Sequence, residues 1–230
     1  MLDGTTPLHS PGHEWHPAEF RPPVGTVLIP VKRITDIVGA SMLLVLLAPL
    51  MALVSAMLLA TGGGVLYAHP RIGLGGRTFG CLKFRTMVRD GDAVLARHLR
   101  ENPAATAEWA ARRKLVKDPR VTRLGAFLRA YSVDELPQLV NVLVGDMSLV
   151  GPRPVVRAEL DEHYGAAGRA AYMMTRPGMT GPWQIQGRSN TDYSQRVALD
   201  VNYVDQWSFR GDLVILTRTA PAVLSRRGAV

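Results

Sequence analysis

Cysteine is almost missing from this chain: Cys81 is the single one among 230 residues. One thiol excludes an internal disulfide and suits a reducing compartment. Zinc-type Cys/His spacing is missing too, and three of the six histidines (His9, His13 and His16) fall within the first 16 residues. There is no internal repeat and no low-complexity segment, so solenoid and low-complexity architectures are excluded. Acidic residues are the scarcer charge, 19 Asp and Glu against 27 Lys and Arg, which leaves a net charge of +8. Such a surface attracts anions: nucleic acid, anionic lipid or phosphorylated substrates. A cleavable leader is not indicated either. Lys32 and Arg33 lie far from the N-terminus, and no small-residue cleavage site follows the apolar run.

What is present begins with a Pro-, Gly- and His-rich tail over residues 1–30 that shows no periodicity. From Ile37 to Ala60 there follow 24 residues without one charge. As a helix this run would reach roughly 36 Å, enough for a hydrocarbon core of about 30 Å. A helix apolar on every side suits lipid better than the core of a domain this small. Pro49 sits at the middle of the run, where it removes one backbone donor and its ring clashes with the carbonyl of Val45. Lys32 and Arg33 precede the run, and Arg71, Arg77, Lys83 and Arg85 follow it. Positive residues mark the cytoplasmic side, and a re-entrant hairpin satisfies both flanks. A spanning helix satisfies one flank but tolerates proline, so the residues alone leave both topologies open.

Beyond Gly62-Gly63-Gly64, "VLYAHPRIG" and "RTFGCLKFRTM" read as two short strands joined by "LGG". Helical signals occupy Gly91 to Lys117, divided at Asn102-Pro103, then Val140 to Val144, Ala158 to Met174, and two stretches from Asp192 to Leu224. The fold class expected is α+β, mostly helical.

Three motifs carry chemistry. "SVDE", Ser132 to Glu135, has the spacing of a capping box. Pro137 follows too soon for a helix begun at Ser132, so a helix restarting there would leave Asp134 and Glu135 on an irregular turn. An ionised aspartate near a helix N-terminus is both a usable nucleophile and a Mg²⁺ ligand. "GPRP" fixes the backbone around Arg153, whose planar guanidinium suits bidentate phosphate binding. "RPGMTGPWQIQGRSN", Arg176 to Asn190, is a Gly-rich loop in which Trp183 offers a stacking face and Arg188 adds charge. Together these describe a membrane-attached protein with a carboxylate pair in basic surroundings, most simply a phosphate site.

These motifs, with "KRITDIVG", "DPRVTRLGAFLR" and "LDVNYVDQWSFRGDLVIL", resemble the bacterial sugar transferases, monotopic phosphoglycosyl transferases, from about Lys32 to the C-terminus. The details look most like members that initiate exopolysaccharide repeat units. The resemblance implies transfer of galactose or glucose phosphate from a UDP-sugar to undecaprenyl phosphate, with release of UMP. It implies Asp134 as nucleophile and Glu135 as its partner in holding Mg²⁺. Arg129, Arg153, Lys83, Arg85 and Arg188 are implied as phosphate contacts. Lys32, Arg33 and Asp36 match the family's entry to the membrane segment, and Pro49 its break.

The implied organisation is a tail over 1–30, a re-entrant membrane helix over 31–66 and a cytosolic catalytic domain over 67–230, on the cytoplasmic face of the bacterial inner membrane. The implied partners are the two substrates, membrane lipid and, as an open option, further copies of the chain in a homo-oligomer, but no nucleic acid. Two departures stand out: Ala48 replaces a frequent serine before Pro49, and Gly64 replaces a frequent proline. Longer relatives carry an extra N-terminal block of spanning helices, so the chain looks like the minimal catalytic form. Two rivals are a membrane-tethered nucleic-acid binder, which lacks a groove-reading module here, and a non-catalytic scaffold of polysaccharide assembly, which would tolerate loss of the acid pair.

Overall fold

The computed structural model describes residues 28–62, 64–112, 115–186 and 193–224. The first element, α1, runs as one helix from Leu28 to Ala60 and continues through Pro49. Two short sheets and nine further helices among the described residues follow, so the mostly helical α+β expectation holds.

Both ends of α1 are bound to the rest of the molecule, and its middle is not. Near the start, Ala40 is buried with Leu139, Val142, Met147 and Leu149. Near the end, Val54 and Leu58 are buried with Phe84 and Leu128. Between them Val45 and Leu46 are 77% and 73% exposed, an apolar surface that no described residue covers.

The two expected strands form an antiparallel hairpin, β1 (Leu66–Ile72) and β2 (Thr78–Phe84), in register from Leu66 opposite Phe84 to Ile72 opposite Thr78. A one-turn 3-10 segment at Leu74–Gly76 closes it, with Gly75 and Gly76 at positive φ. Alternation along β2 sends Cys81 and Lys83 to one face and Phe84 into the core. Helices α2 (Gly91–Glu101) and α3 (Pro103–Arg112) break at Asn102 as expected, and α4 (Arg123–Ala130) leads to the acid pair.

After α5 (Gln138–Val144) comes a second sheet that the sequence did not disclose. In it β3 (Ser148–Val150) pairs parallel with β4 (Gly178–Thr180). Three-residue strands buried throughout show no period to read. Glycine is required where they cross: a Cβ on Gly178 would lie 2.1 Å from the Gly151 nitrogen, and one on Gly151 would lie 2.5 Å from the Arg176 oxygen. The helical stretch expected from Ala158 to Met174 is two helices, α6 (Arg157–His163) and α7 (Gly165–Met173). Gly165, at φ 58°, turns the chain between them. The chain ends in α8 (Pro182–Gln186), α9 (Tyr193–Asp205) and α10 (Phe209–Leu224).

Candidate active site

The acid pair sits on a turn, and no capping box forms. Ser132 lies in the left-handed region at φ 57° with no side-chain cap bond, and Val133–Glu135 make a single 3-10 turn before α5 begins after Pro137. A non-glycine residue held at positive φ immediately before two carboxylates is a constrained backbone position. Val133 and Leu136 on either side of the pair pack on the Val54, Leu58, Phe84 and Leu128 cluster, which anchors the turn.

Asp134 is 7% exposed. Burial first, and then the charge of Glu135, push its carboxyl up to about 6, against the pull of Lys83 and Arg129. Glu135 is held by Lys83, whose Nζ lies 2.6 Å from Oε1. Arg129 is steadied by a 2.9 Å bond from its Nε to the Thr86 hydroxyl. The result is a buried acid at the edge of two cations, beside a partner acid in an ion pair. A buried carboxyl, two cations and a paired carboxylate occupy one place.

The other expected residues divide. Arg153 places its guanidinium 5.1 Å from the Trp183 ring centroid. Burial first, and then the nearby charge of Arg153, hold the Arg71 guanidinium below its usual range. Arg85 bonds the Thr61 hydroxyl at 3.1 Å, just beyond the end of α1. Arg188 lies outside the described residues.

Lys32, Arg33 and Asp36 turn inward from α1 to the catalytic body. Lys32 donates to the Val150 carbonyl at 3.0 Å and to Asp212 at 2.5 Å. Arg33 donates to the Val142 and Leu143 carbonyls at 2.6 and 2.8 Å, at the C-terminus of α5, where a cation answers the helix dipole. Asp36 accepts 2.9 Å bonds from the Ser148 hydroxyl and the Leu149 amide. The start of the apolar helix therefore holds the helix that follows the acid pair and the strand that leads to Arg153.

Three contributors went unrecognised in the sequence. Asn141, buried in α5, accepts from the Leu82 amide and donates to the Gly80 carbonyl, both at 2.9 Å, and so ties β2 with Lys83 to the segment behind the acids. Its signal was a lone amide inside "LVNVLV". Arg71, which looked like a flanking charge, donates to the Pro154 carbonyl at 3.2 Å and clamps the Arg153 loop. Arg196 gave no signal beyond its charge.

Among the described residues no group of three or more His, Cys, Asp or Glu side chains gathers as a metal cage. Two adjacent carboxylates still fit Mg²⁺, which commonly takes one or two protein carboxylates and completes its shell with water and substrate phosphate.

The bacterial sugar transferase family model matches residues 27–226. The chain belongs to the bacterial sugar transferase family. Among similar proteins, the exopolysaccharide production protein ExoY of Rhizobium meliloti (strain 1021) is 52% identical over 199 residues, covering 86% of this chain and 87% of that protein. The undecaprenyl-phosphate galactose phosphotransferase of Salmonella typhimurium is 47% identical across 86% of this chain, but the match spans only 41% of the longer relative. The UDP-glucose:undecaprenyl-phosphate glucose-1-phosphate transferase of Caulobacter vibrioides is 44% identical, over 86% of this chain and 71% of its own length. The matched region of this transferase family member takes in the acid pair, the Arg153 loop and both ends of α1.

Proposed function

We propose that the chain transfers a hexose-1-phosphate, galactose or glucose phosphate, from a UDP-sugar to undecaprenyl phosphate and releases UMP, as the first membrane step of exopolysaccharide repeat-unit assembly. The observation that carries this is Asp134, buried on a constrained turn between Lys83 and Arg129 and beside the paired Glu135. The names of relatives such as the galactose and glucose phosphotransferases supply the substrate class.

In the first half-reaction an Asp134 carboxylate oxygen attacks the sugar-bearing phosphorus. The bond from that phosphorus to the bridging oxygen breaks, and UMP leaves with the electron pair. In the second, a phosphate oxygen of the lipid attacks the same phosphorus and returns Asp134 as free carboxylate. Lys83 and Arg129 stabilise charge on the transferring phosphoryl oxygens. Burial keeps water from the acyl phosphate between the two halves. Mg²⁺ would be held by Asp134 and Glu135 and would neutralise donor phosphates brought against an acidic pair.

The acceptor's phosphate lies at the bilayer surface, so the site must lie there too. Both ends of α1 are fastened to one catalytic body, with exposed apolar residues between them. That arrangement supports a helix held by both ends at the cytoplasmic face of the inner membrane with its apolar middle in lipid. A return from within the bilayer requires the continuous helix to bend at Pro49.

The test is UMP release from UDP-galactose, UDP-glucose and UDP-N-acetylhexosamines over membranes that contain undecaprenyl phosphate, with Asp134→Asn alongside. A hexose donor should release UMP, and labelled sugar phosphate should stay on the parent protein when acceptor is left out. Near-parent transfer by Asp134→Asn would remove the covalent step.

A further inference from the structure

A second group of polar side chains lies beyond Arg153. Arg196 of α9 is 7% exposed, and its guanidinium stands 4.8 Å from the Trp183 ring centroid and 5.0 Å from that of Tyr193. Its Nη1 reaches the Tyr193 hydroxyl at 3.4 Å, while Nε and Nη2 are buried with no hydrogen-bond partner among the described residues. Those two nitrogens form one edge of the guanidinium, the edge that grips two oxygens of a phosphate side-on.

Asp200 lies one turn along the same helix and is 1% exposed. Its Oδ2 takes the Tyr164 hydroxyl at 2.7 Å, and its Oδ1 meets no hydrogen-bond partner among the described residues, although the Arg153 backbone amide and charge favour its ionised form. No ion pair joins Asp200 to Arg196 among the described residues. The Arg196 charge still acts on the Asp200 carboxyl, but no hydrogen bond among the described residues meets this buried guanidinium edge, and leaving it unmet is costly. Arg153 lies 5.1 Å from the same Trp183 ring centroid, so two guanidiniums contact one indole. From there Arg153 and Arg71 continue the positive charge to Cys81 and Lys83, and so to Glu135.

We propose that Arg196, with Arg153 over Trp183, is the subsite for a phosphate monoester: the phosphoryl of departing UMP and then that of the incoming lipid. This rests on the transfer reaction proposed above. The sugar and the uracil are neutral, so a cationic edge away from the acid pair suits the remaining anion, the donor's second phosphoryl. That group gains negative charge as the bridging bond breaks. In-line displacement places the leaving oxygen opposite Asp134, and the lipid phosphate must attack from the same side to expel Asp134. One receptor therefore serves both in turn.

The test uses the full chain in nanodiscs with Arg196→Met and Arg196→Lys, titrated calorimetrically with UMP and, separately, with farnesyl phosphate. Arg196→Met should unfold no earlier than the parent, because it removes an incompletely paired buried charge. Both variants should bind both probes about 10- to 100-fold more weakly, the range set by charge-assisted hydrogen bonds. Should Arg196→Met fail to fold, Arg196→Lys carries the test, since it keeps the charge and loses the fork. Parent-like affinity for both probes in a folded variant overturns the subsite, and loss for one probe alone overturns its shared use. UMP release by the parent is read separately: its absence sinks the transfer reaction, whereas its presence with unchanged probe binding sinks only this inference.

Discussion

Asp36→Ala should destabilise the protein through two buried donors that lose their acceptor. Asp36 is 4% exposed and Ser148 is 0% exposed, and the carboxylate takes both the Ser148 hydroxyl and the Leu149 amide at 2.9 Å. A buried donor left unsatisfied costs about 1–3 kcal/mol, and these bonds run to a carboxylate. The Ser148 hydroxyl can rotate toward another acceptor, whereas the Leu149 amide is fixed in β3. Relief of the buried carboxylate's own desolvation offsets part of the sum. A net loss of about 2–3 kcal/mol follows, or roughly 4–12 °C in melting temperature for a chain of this size.

The damage should also reach chemistry, because β3 runs directly into Gly151 and Arg153. Thermal unfolding in nanodiscs, paired with UMP release, measures both effects. Adding Ser148→Ala removes one orphaned donor, so the double variant should lose less than the sum of the singles. Stability of Asp36→Ala within about 0.5 kcal/mol of the parent, the usual range for surface changes, would refute the anchor.

Chelation with EDTA should stop turnover and Mg²⁺ restore it; full activity after exhaustive chelation would sink the metal's part. For topology, single cysteines at Thr6 and Ser225 in a Cys81→Ser background should both escape an impermeant reagent in intact cells. Labelling at Thr6 alone would show a spanning helix, and Pro49→Leu should shift the protein toward that state by restoring the missing donor. Burial holds the Asp200 carboxyl up at about 6, so its ionisation opposes folding. That opposition is absent below about 4, the ordinary aspartate range, and complete above about 6, so parent stability should fall relative to Asp200→Asn by of order 2–3 kcal/mol across that window. A flat difference in denaturant midpoints across this pH range would contradict it.

Much was legible in the chain order. The 24-residue apolar run announced one long apolar helix with an exposed middle, because no domain this small can surround such a helix with core. The hairpin declared itself by two short β-rich runs around "LGG", and Pro137 forecast the restart that leaves Asp134 and Glu135 on a turn. Those are local effects of backbone sterics and side-chain period, so one contiguous stretch of chain contains each of them. The tertiary structure decided which charges meet. Lys83 and Arg85 are two residues apart, yet one pairs with Glu135 and the other bonds Thr61, since the strand ends between them. Lys32, Arg33 and Asp36 read as flanks of a lipid-facing helix, but they bond to β3, α5 and α10, more than a hundred residues away. The open edge of Arg196 over Trp183 and the parallel pairing of Ser148–Val150 with Gly178–Thr180 likewise exist only once distant segments pack. A hydrogen bond or ion pair depends on positions within a few ångströms, and sequence spacing carries that information only inside a single helix or strand.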